Sequence, residues 1–333
     1  MTLNRRNFLH LMAGAATVSV ATSGLALTRD MPSVRAATGL LATWQSTAWL
    51  GADLGMFMKH AVEMTVSAVA VGGPQAAAGL NRGEWEFAHT GALPVAEEVL
   101  KGSDVVILAT PTVEFDNSFV VTRNEITDLS QLAGKKVGIL TETGQTSVAA
   151  RITVEKAGAR AIYVPLLKFD RVFAALAAGE IDAGALPIDL RFIGESRFGW
   201  HAYPISEFGT PSVFATTRRQ IASDRRLVMN VMRGLVETIQ VFKTRPDIVV
   251  PALQRYLHIE DRKVLEAIHA FHVPLFRKVP APSLPGMQRL SGSLVAKYPA
   301  ANSLKEADIA DHSFVDELER DGFIDGLYST GPQ

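Results

Sequence analysis

The chain contains eight histidines and no cysteine, so any metal or acid–base chemistry would depend on histidines and carboxylates. His269 and His272 are three residues apart on a predicted helix, a spacing that can present two imidazoles to one metal ion. The sequence offers them no obvious third ligand, and it contains no HExxH, GxSxG or Walker motif and no GxGxxG after a strand. We therefore predict no catalytic residues, no metal and no cofactor.

Polar and glycine-containing turns follow several predicted strands and are the strongest candidates for ligand binding. Backbone N–H groups and short polar side chains at the start of a helix can hold an anionic or polar group. In open parallel sheets, ligands bind beyond the carboxyl ends of the strands. The predicted ligand-binding residues are Trp44, Gln45, Ser46, Gly73, Thr90, Gly91, Ala92, Glu114, Asn117, Thr141, Thr143, Gly144, Gln145, Thr146 and Asp189.

Several of these residues also have a purely structural interpretation. Trp44 could be a core aromatic, and Gly73 could belong to an ordinary turn. Gln145 or Thr146 could simply cap a helix. Asp189 either faces the ligand or begins the next helix.

The charge of the ligand also stays open at this level. Glu114, Asp116, Glu142 and Glu207 could make the site acidic, which would suit a cationic or nitrogen-rich heterocycle. Carboxylates in loops are more often simply solvated. His89, beside Thr90, is either a ligand contact or a buried strand histidine.

The elements that must position these loops alternate between strands and helices. Apolar and branched residues predict strands at 34–41, 63–71, 85–90, 105–110, 119–122, 136–140, 161–166, 181–186 and 212–216. Helices are predicted at 48–60, 74–81, 94–101, 146–157, 172–178 (with Asp170 as N-cap), 224–243, 248–257, 262–271 and 313–321, with a short helical turn at 129–132. This alternation predicts an α/β protein with mostly parallel sheets flanked by helices.

The length of 333 residues favours two domains. No charged or low-complexity linker separates them, so we expect crossing strands to join a discontinuous lobe, 34–117 plus 212–333, to a second lobe, 118–211. With 33 basic and 34 acidic residues, the chain has no excess of positive charge for binding nucleic acid. A small-molecule ligand is the expected partner.

The N-terminus has the features of an export signal. Arg5 and Arg6 are followed by Phe8, Leu9 and an uncharged, mostly apolar stretch that ends near Leu27. This pattern is similar to the twin-arginine export motif and predicts a signal peptide over residues 1–28 and a periplasmic protein. An uncleaved anchor is the alternative, although polar and glycine residues dilute the stretch.

Four further segments carry a family resemblance through their order along the chain. They are 48–57, ending Leu-Gly-Met-Phe; Gly72-Gly73 followed by LNRGEWEF at 80–87; DLSQLAGKKVGILTETG at 128–144; and AALAAGEIDAGA at 174–185. The tail, 311–325, fits as well. Together they resemble the nitrate/sulfonate/taurine-type periplasmic solute-binding proteins of ABC transporters.

The resemblance implies a two-lobed, type II periplasmic-binding-protein fold that captures a solute between its lobes. It also implies a permease in the inner membrane as partner, a monomeric state and no enzymatic activity. Ala92 stands where many relatives have a polar residue, and Leu186-Pro187-Ile188-Asp189 replaces a common tryptophan-acid-proline run, so the ligand does not follow from the resemblance. A thiamine-precursor (pyrimidine) binding or synthesis protein, or a sensing module of the same fold, is the alternative.

Overall fold

The computed structural model describes residues 31–69, 72–114, 116–142, 145–205, 211–283 and 294–329. Ten strands in this part of the chain form two five-stranded sheets. Residues Met31–Gln333 make up one compact unit.

The first sheet is built from strands that are distant in sequence. It contains β1 (Ser33–Thr38), β2 (Glu63–Ala68), β3 (Phe87–Gly91), β4 (Val105–Ala109) and β10 (Ser212–Thr217), in the order β2-β1-β3-β10-β4. β1 pairs in parallel with β2 and β3, whereas β10 is antiparallel to both β3 and β4. Only β10 therefore runs against the other strands of this sheet.

The second sheet uses one continuous stretch of the chain. It contains β5 (Ser118–Thr122), β6 (Lys136–Ile139), β7 (Ile162–Pro165), β8 (Ala183–Pro187) and β9 (His201–Pro204), in the order β7-β6-β8-β5-β9. β6 is parallel to β7 and β8, and β5 is antiparallel to β8 and β9. The predicted α/β class with mostly parallel strands is confirmed for both sheets.

Helices follow most strands. They are α1 (Ser46–Asp53), α2 (Gly73–Arg82), α3 (Ala92–Leu100), α4 (Gln145–Lys156), α5 (Phe169–Ala177), α6 (Ile188–Phe198), α7 (Arg218–Ser223), α8 (Arg225–Thr244), α9 (Pro246–Leu257), α10 (Arg262–His272), α11 (Glu306–Ile309), α12 (Ser313–Arg320) and α13 (Phe323–Ser329). Within the described ranges, none of these helices combines the length and apolarity needed to cross a membrane.

The alternation of side chains along each strand divides the core between the two faces of the sheet. On β1, Val34 and Ala36 pack with α1, α8 and α12, whereas Ala37 packs with α2 and α3. Around the second sheet, α4 covers one face, and α5 with the start of α6 covers the other. Both sheets are therefore covered by helices on each side, as parallel sheets require.

Two local predictions were wrong. The predicted helix 48–60 is interrupted: α1 ends at Asp53, and a separate short 3₁₀ helix covers Met58–His60. Gly55 adopts φ +70 between them, a left-handed conformation that ends an α-helix at little cost for glycine. Asp170 lies in the first turn of α5, whose N-cap is Lys168.

Residues 110–117 cross from β4 of the first sheet to β5 of the second. A segment that follows α10 pairs with this crossover: Val113 N donates to Leu275 O at 2.8 Å, and Arg277 N donates to Pro111 O at 2.9 Å. An antiparallel bridge joins Thr112 to Phe276 between these bonds. The connection between the sheets is therefore part of a short two-stranded ribbon.

Candidate functional site

The turns after β1, β2 and β3 meet in a tightly packed arrangement. A Cβ on Gly39 would lie 3.0 Å from Gly73 Cα, and a Cβ on Gly73 would lie 2.8 Å from Thr90 Oγ1. Thr90 Oγ1 donates to Gly73 O at 3.2 Å. The structure thus brings the predicted residues Gly73, Thr90 and Gly91 together at the carboxyl edge of the first sheet, with Gly91 preceding α3.

Gln45 belongs to the same arrangement, but its side-chain oxygen is occupied within it. Gln45 Oε1 accepts from Leu40 N at 3.0 Å and from Thr38 Oγ1 at 3.2 Å. These bonds fold the turn after β1 back onto the strand and place the start of α1 beside β3. Gln45 therefore shapes the site through its side-chain oxygen.

Ser46 is the first residue of α1, and its side chain is fully buried. Among the described residues, its Oγ has no hydrogen-bond partner. A buried hydroxyl without a partner is costly, because water bound it in the unfolded chain. This unused hydrogen-bonding group lies at a helix N-terminus.

His89 fixes this helix start from the side of β3. Its Nδ1 lies 3.0 Å from Thr47 Oγ1 in the first turn of α1, while its Nε2 is buried without a partner among the described residues. Burial lowers the pKa of His89 to about 3, so the imidazole is neutral at physiological pH. Sequence reasoning did not find Thr47, because nothing in its neighbourhood distinguishes it from an ordinary helix residue.

The starts of α1, α2 and α3 share an electrostatic property. None of the three has a side-chain N-cap, and none carries Asp or Glu in its first turn. Ala92 N, at the start of α3, donates to Pro211 O at 3.0 Å. The partial positive charge of these helix ends is therefore not offset by a neighbouring carboxylate, and it favours an anion at this edge.

The second sheet contributes a loop between β6 and α4. Thr141 is exposed, its N lies 3.5 Å from Ser147 Oγ, and Thr146 is half-buried in the first turn of α4. Glu142 forms an ion pair with Arg151. Thr143, Gly144 and the side chain of Gln145 lie outside the described residues.

At the crossover, Asn117 connects β5 to α6. Its carbonyl accepts from Ile188 N at 3.0 Å, and its Oδ1 accepts from Ser118 Oγ at 3.1 Å. Glu114 is half-buried on the same segment and has contacts of its own. Both residues thus lie at the junction of the two sheets.

Asp189 lies in the first turn of α6 and is 6% exposed. Its two carboxylate oxygens accept from Thr43 N at 3.0 Å and from Thr43 Oγ1 at 3.1 Å. Burial raises the pKa of Asp189, and the nearby His272 opposes that shift. The carboxylate therefore joins the helix after β8 to the turn after β1.

Trp44 lies beside this contact and is 5% exposed. It packs in a cluster that includes Phe119 and Leu186 of the second sheet, and its ring stacks on His272 with centroids 6.4 Å apart. Its burial is that of a core aromatic that joins the two sheets.

The two histidines considered for a metal are bonded to the backbone. His269 Nε2 lies 2.8 Å from Phe242 O, and His272 Nδ1 lies 2.7 Å from Ile268 O. Across the described part of the chain, no group of three or more potential ligands could hold a metal ion.

Comparison with known proteins gives the class of this architecture. Residues 50–193 match the family model of the phosphonate periplasmic substrate-binding proteins of ABC transporters. A search of curated proteins found no match. The matched stretch is less than half of the chain, and it is similar to the periplasmic substrate-binding proteins of ABC transporters.

Solved structures show the same fold at low sequence identity. The alkanesulfonate-binding protein SsuA from Xanthomonas axonopodis pv. citri, bound to MOPS, is 15% identical with a TM-score of 0.62, covering 82% of this chain and 95% of its own. SsuA from Escherichia coli is 14% identical with a TM-score of 0.64, covering 84% and 96%. A Candida albicans protein with the generic periplasmic binding protein fold is 13% identical with a TM-score of 0.59, covering 86% and 95%.

The two sheets, each flanked by helices, give this chain the α/β fold of the periplasmic binding proteins. The proteins described by the matched family model are periplasmic substrate-binding components of ABC transporters. Asp189 contacts the turn after β1, and Trp44 of that turn packs against Phe119 and Leu186, so both contacts join the two sheets.

Proposed function

We propose that the protein captures a small organic anion of the sulfonate or phosphonate class between its lobes. In this proposal, 34–117 plus 212–333 form the first lobe, and 118–211 form the second. Ligand binding closes the lobes, and the closed form delivers the solute to the permease.

One observation carries the choice of an anion. The helices α1, α2 and α3 begin at the carboxyl edge of the first sheet without side-chain caps and without a carboxylate in their first turns. Such ends bind anions through backbone N–H groups and the helix dipole. The phosphonate family match and the alkanesulfonate-binding neighbours support the same class. The ion pair of Glu142 with Arg151 weakens the case for an acidic, cation-binding cleft.

The binding residues that we propose come from both lobes. Gln45, Ser46, Gly73, Thr90, Gly91 and Ala92 shape the first-lobe half, while Thr141, Thr143, Gly144, Gln145 and Thr146 shape the second. Glu114 and Asn117 lie at the crossover between them, and Trp44 and Asp189 hold the lobes together. Ser46 is the direct contact we consider best supported, because its buried hydroxyl has no partner among the described residues.

The test is a thermal-shift and calorimetric screen of the full chain against alkanesulfonates, alkylphosphonates, nitrate, amines and thiamine-type pyrimidines. A ligand at a hundredfold excess over its dissociation constant should stabilise the folded state by about 2.7 kcal/mol. Saturable binding of sulfonates or phosphonates, without detectable binding of amines, would support the proposal. Preference for an amine or a pyrimidine would overturn the anionic class.

We further propose that the protein acts as a monomer, without catalysis, and is exported by the twin-arginine route. Recovery of the bound solute chemically unchanged tests the absence of catalysis, and light scattering tests the monomer. Replacement of Arg5 and Arg6 by lysine should leave the protein in the cytoplasm, as fractionation would reveal. Unaltered export of that variant would argue against this route.

A further inference from the structure

Both edge strands of the second sheet end in a proline. These strands, β7 and β9, have four residues each and end at Pro165 and Pro204. The residue after each proline donates into the sheet, Leu166 N to β6 at 2.8 Å and Ile205 N to β5 at 3.0 Å. Backbone N–H groups alternate in direction along a strand, so each proline stands where an N–H would face outward. An incoming strand therefore finds one donor fewer at each of these edges.

The edge strands of the first sheet, β4 and β2, differ from each other. The outer side of β4 is occupied, because Asp311 N donates to Ile107 O at 2.9 Å beside a parallel bridge between Ile107 and Ala310. With six residues, β2 is the longest of the four edge strands, it contains neither proline nor lysine, and its register with β1 is unbroken. Within the described ranges, no strand pairs with its outer side. β2 thus lacks the features that usually protect an edge.

The backbone of β2 presents alternate groups to its open side. Glu63 N and Val69 N donate to the segment of β1, at 3.0 and 3.1 Å, so the odd-numbered residues bond to that strand. The N–H and C=O groups of Met64, Val66 and Ala68 therefore face away from the sheet. They follow one another at about 6.6 Å, a spacing that the backbone of another extended chain matches.

A groove of about 440 Å³ lies beside this open edge, between β2, α1 and α9. Its lining includes Trp49 and Tyr256, whose ring centroids are 4.4 Å apart, and the β2 residue Val66. Leu41 also lines it and is 40% exposed. A strand added to β2 would direct every second side chain toward this groove, and the lining favours apolar ones.

One end of the groove is acidic. Asp53, the last residue of α1, lines it, and Glu63 is exposed at the first position of β2. The nearby cations Arg255 and Lys59 are paired with Asp53 and Glu237, so they do not offset Glu63. A basic residue at this end of an added strand would complement the charge.

We propose that β2 receives an extended segment of a partner protein as an added strand, with apolar side chains over the groove and a basic residue beside Glu63. The outward backbone groups require an extended chain, and the groove and its acidic end set the side chains of that chain. The inference goes beyond the proposed function, because this surface includes none of the residues proposed to hold the solute.

Amide hydrogen exchange, followed by nuclear magnetic resonance, tests the open edge and its occupant. The probes are two acetylated and amidated hexapeptides, Lys-Thr-Val-Thr-Val-Thr and its reverse, Thr-Val-Thr-Val-Thr-Lys. In the free protein, the amides of Met64, Val66 and Ala68 should exchange faster than those of Thr65 and Ser67. One of the two peptides should bind saturably and slow the exchange of the first three. The same peptide with Glu in place of Lys should bind several-fold more weakly.

Val66→Pro and Ala68→Pro each remove one outward N–H without breaking a bond to β1. Each should weaken binding of the Lys peptide by about 10-fold and keep the wild-type affinity for the anionic solute. Val66→Ala is the matched control, because it shortens the side chain but keeps the N–H, and it should bind the peptide more tightly than Val66→Pro. Circular dichroism checks folding, and Ala68→Pro, at an exposed residue, serves where Val66→Pro does not fold.

Three results would overturn this inference: no binding of either Lys peptide to the wild type, equal binding of the Lys and Glu peptides, or wild-type peptide affinity in the proline variants. A wild-type dimer that both proline variants abolish would show that a second copy of the chain occupies the edge, and it would overturn the inference as well. The proposed capture of an anion is measured separately and does not depend on any of these results.

Discussion

Thr43 donates both its backbone N–H and its hydroxyl to the carboxylate of Asp189, at 3.0 and 3.1 Å. The first residue belongs to the turn after β1 and the second to the first turn of α6, which follows β8, so this pair joins the two sheets. Thr43→Val should lower the free energy of unfolding by about 1–2 kcal/mol, because one donor to a buried charge is lost. Urea denaturation would measure this, and an unchanged midpoint would contradict it.

The same carboxylate predicts a pH dependence. The folded pKa of Asp189 is raised above its unfolded value, so the folded state holds the proton more tightly. The associated stability is fully present below the unfolded pKa of about 3.9 and is lost as the pH rises through the folded pKa. The stability of the wild type relative to Asp189→Asn should therefore fall as the pH rises from 3.5. His272 faces this carboxylate, so Asp189→Asn should be repeated in a His272→Gln background. A difference in unfolding free energy between the wild type and Asp189→Asn that does not change with pH would contradict the prediction.

His89 predicts a change of the opposite sense. Its folded pKa, about 3, is below its unfolded value, so the unfolded chain takes up the proton first. Stability is full above pH 6.5 and falls with acidification by about 1.4 kcal/mol per pH unit, until the pH reaches the folded pKa. His89→Gln should remove this slope in denaturation measured from pH 7 to 4. His201→Gln, at an exposed histidine of β9, is the control and should keep it.

Ser46→Ala separates ligand binding from stability. Its Oγ has no partner in the described structure, so loss of the hydroxyl should leave the free energy of unfolding unchanged or slightly higher. Affinity for the anionic ligand should fall by about 5- to 10-fold, the value of one hydrogen bond. Thr216→Val is the converse control, because Thr216 Oγ1 donates to Glu86 O at 2.7 Å. Thr216→Val should lower the free energy of unfolding and leave the affinity for the ligand unchanged. A lower free energy of unfolding in Ser46→Ala would instead show that the Ser46 hydroxyl stabilises the fold.

Gly73→Ala tests the close contact between the turns. The new Cβ would meet Thr90 Oγ1 at 2.8 Å and Pro94 Cγ at 3.1 Å, so the change should cost about 1–3 kcal/mol. Adding Thr90→Ala removes the nearer contact and should recover part of that loss. A double-mutant cycle measured by thermal denaturation checks the coupling. Strict additivity of the two changes would contradict the contact.

The elements themselves were largely predictable, because their signals are local. Glycines at the predicted helix ends, such as Gly83, Gly158 and Gly179, all adopt positive φ in the structure. The prediction failed at α1, where Met56 and Phe57 continue the apolar pattern beyond Gly55. Both side chains are buried, but in a turn that packs on α8 and its neighbours, and hydrophobic pattern alone cannot separate that case from a continuing helix.

The site was predictable as a set of turns but not as a set of contacts. The rule that ligands bind at the carboxyl ends of strands led to Gly73 and Thr90, which do lie together. Two of the contacts could not be predicted because they depend on tertiary structure. Gln45 Oε1 accepts from Thr38, 7 positions away, and Asp189 accepts from Thr43, 146 positions away.

The place of β10 determines the order in which this chain can fold. The second sheet takes all its strands from 118–204 and can complete its ladders before the C-terminal helices exist. The first sheet cannot, because β10 is the strand between β3 and β4. Until residue 217 is in place, β3 and β4 expose unpaired edges that invite wrong pairing. The second sheet is thus the part of the nascent chain that can form first, and the first sheet is completed only after nearly two-thirds of the sequence has been made.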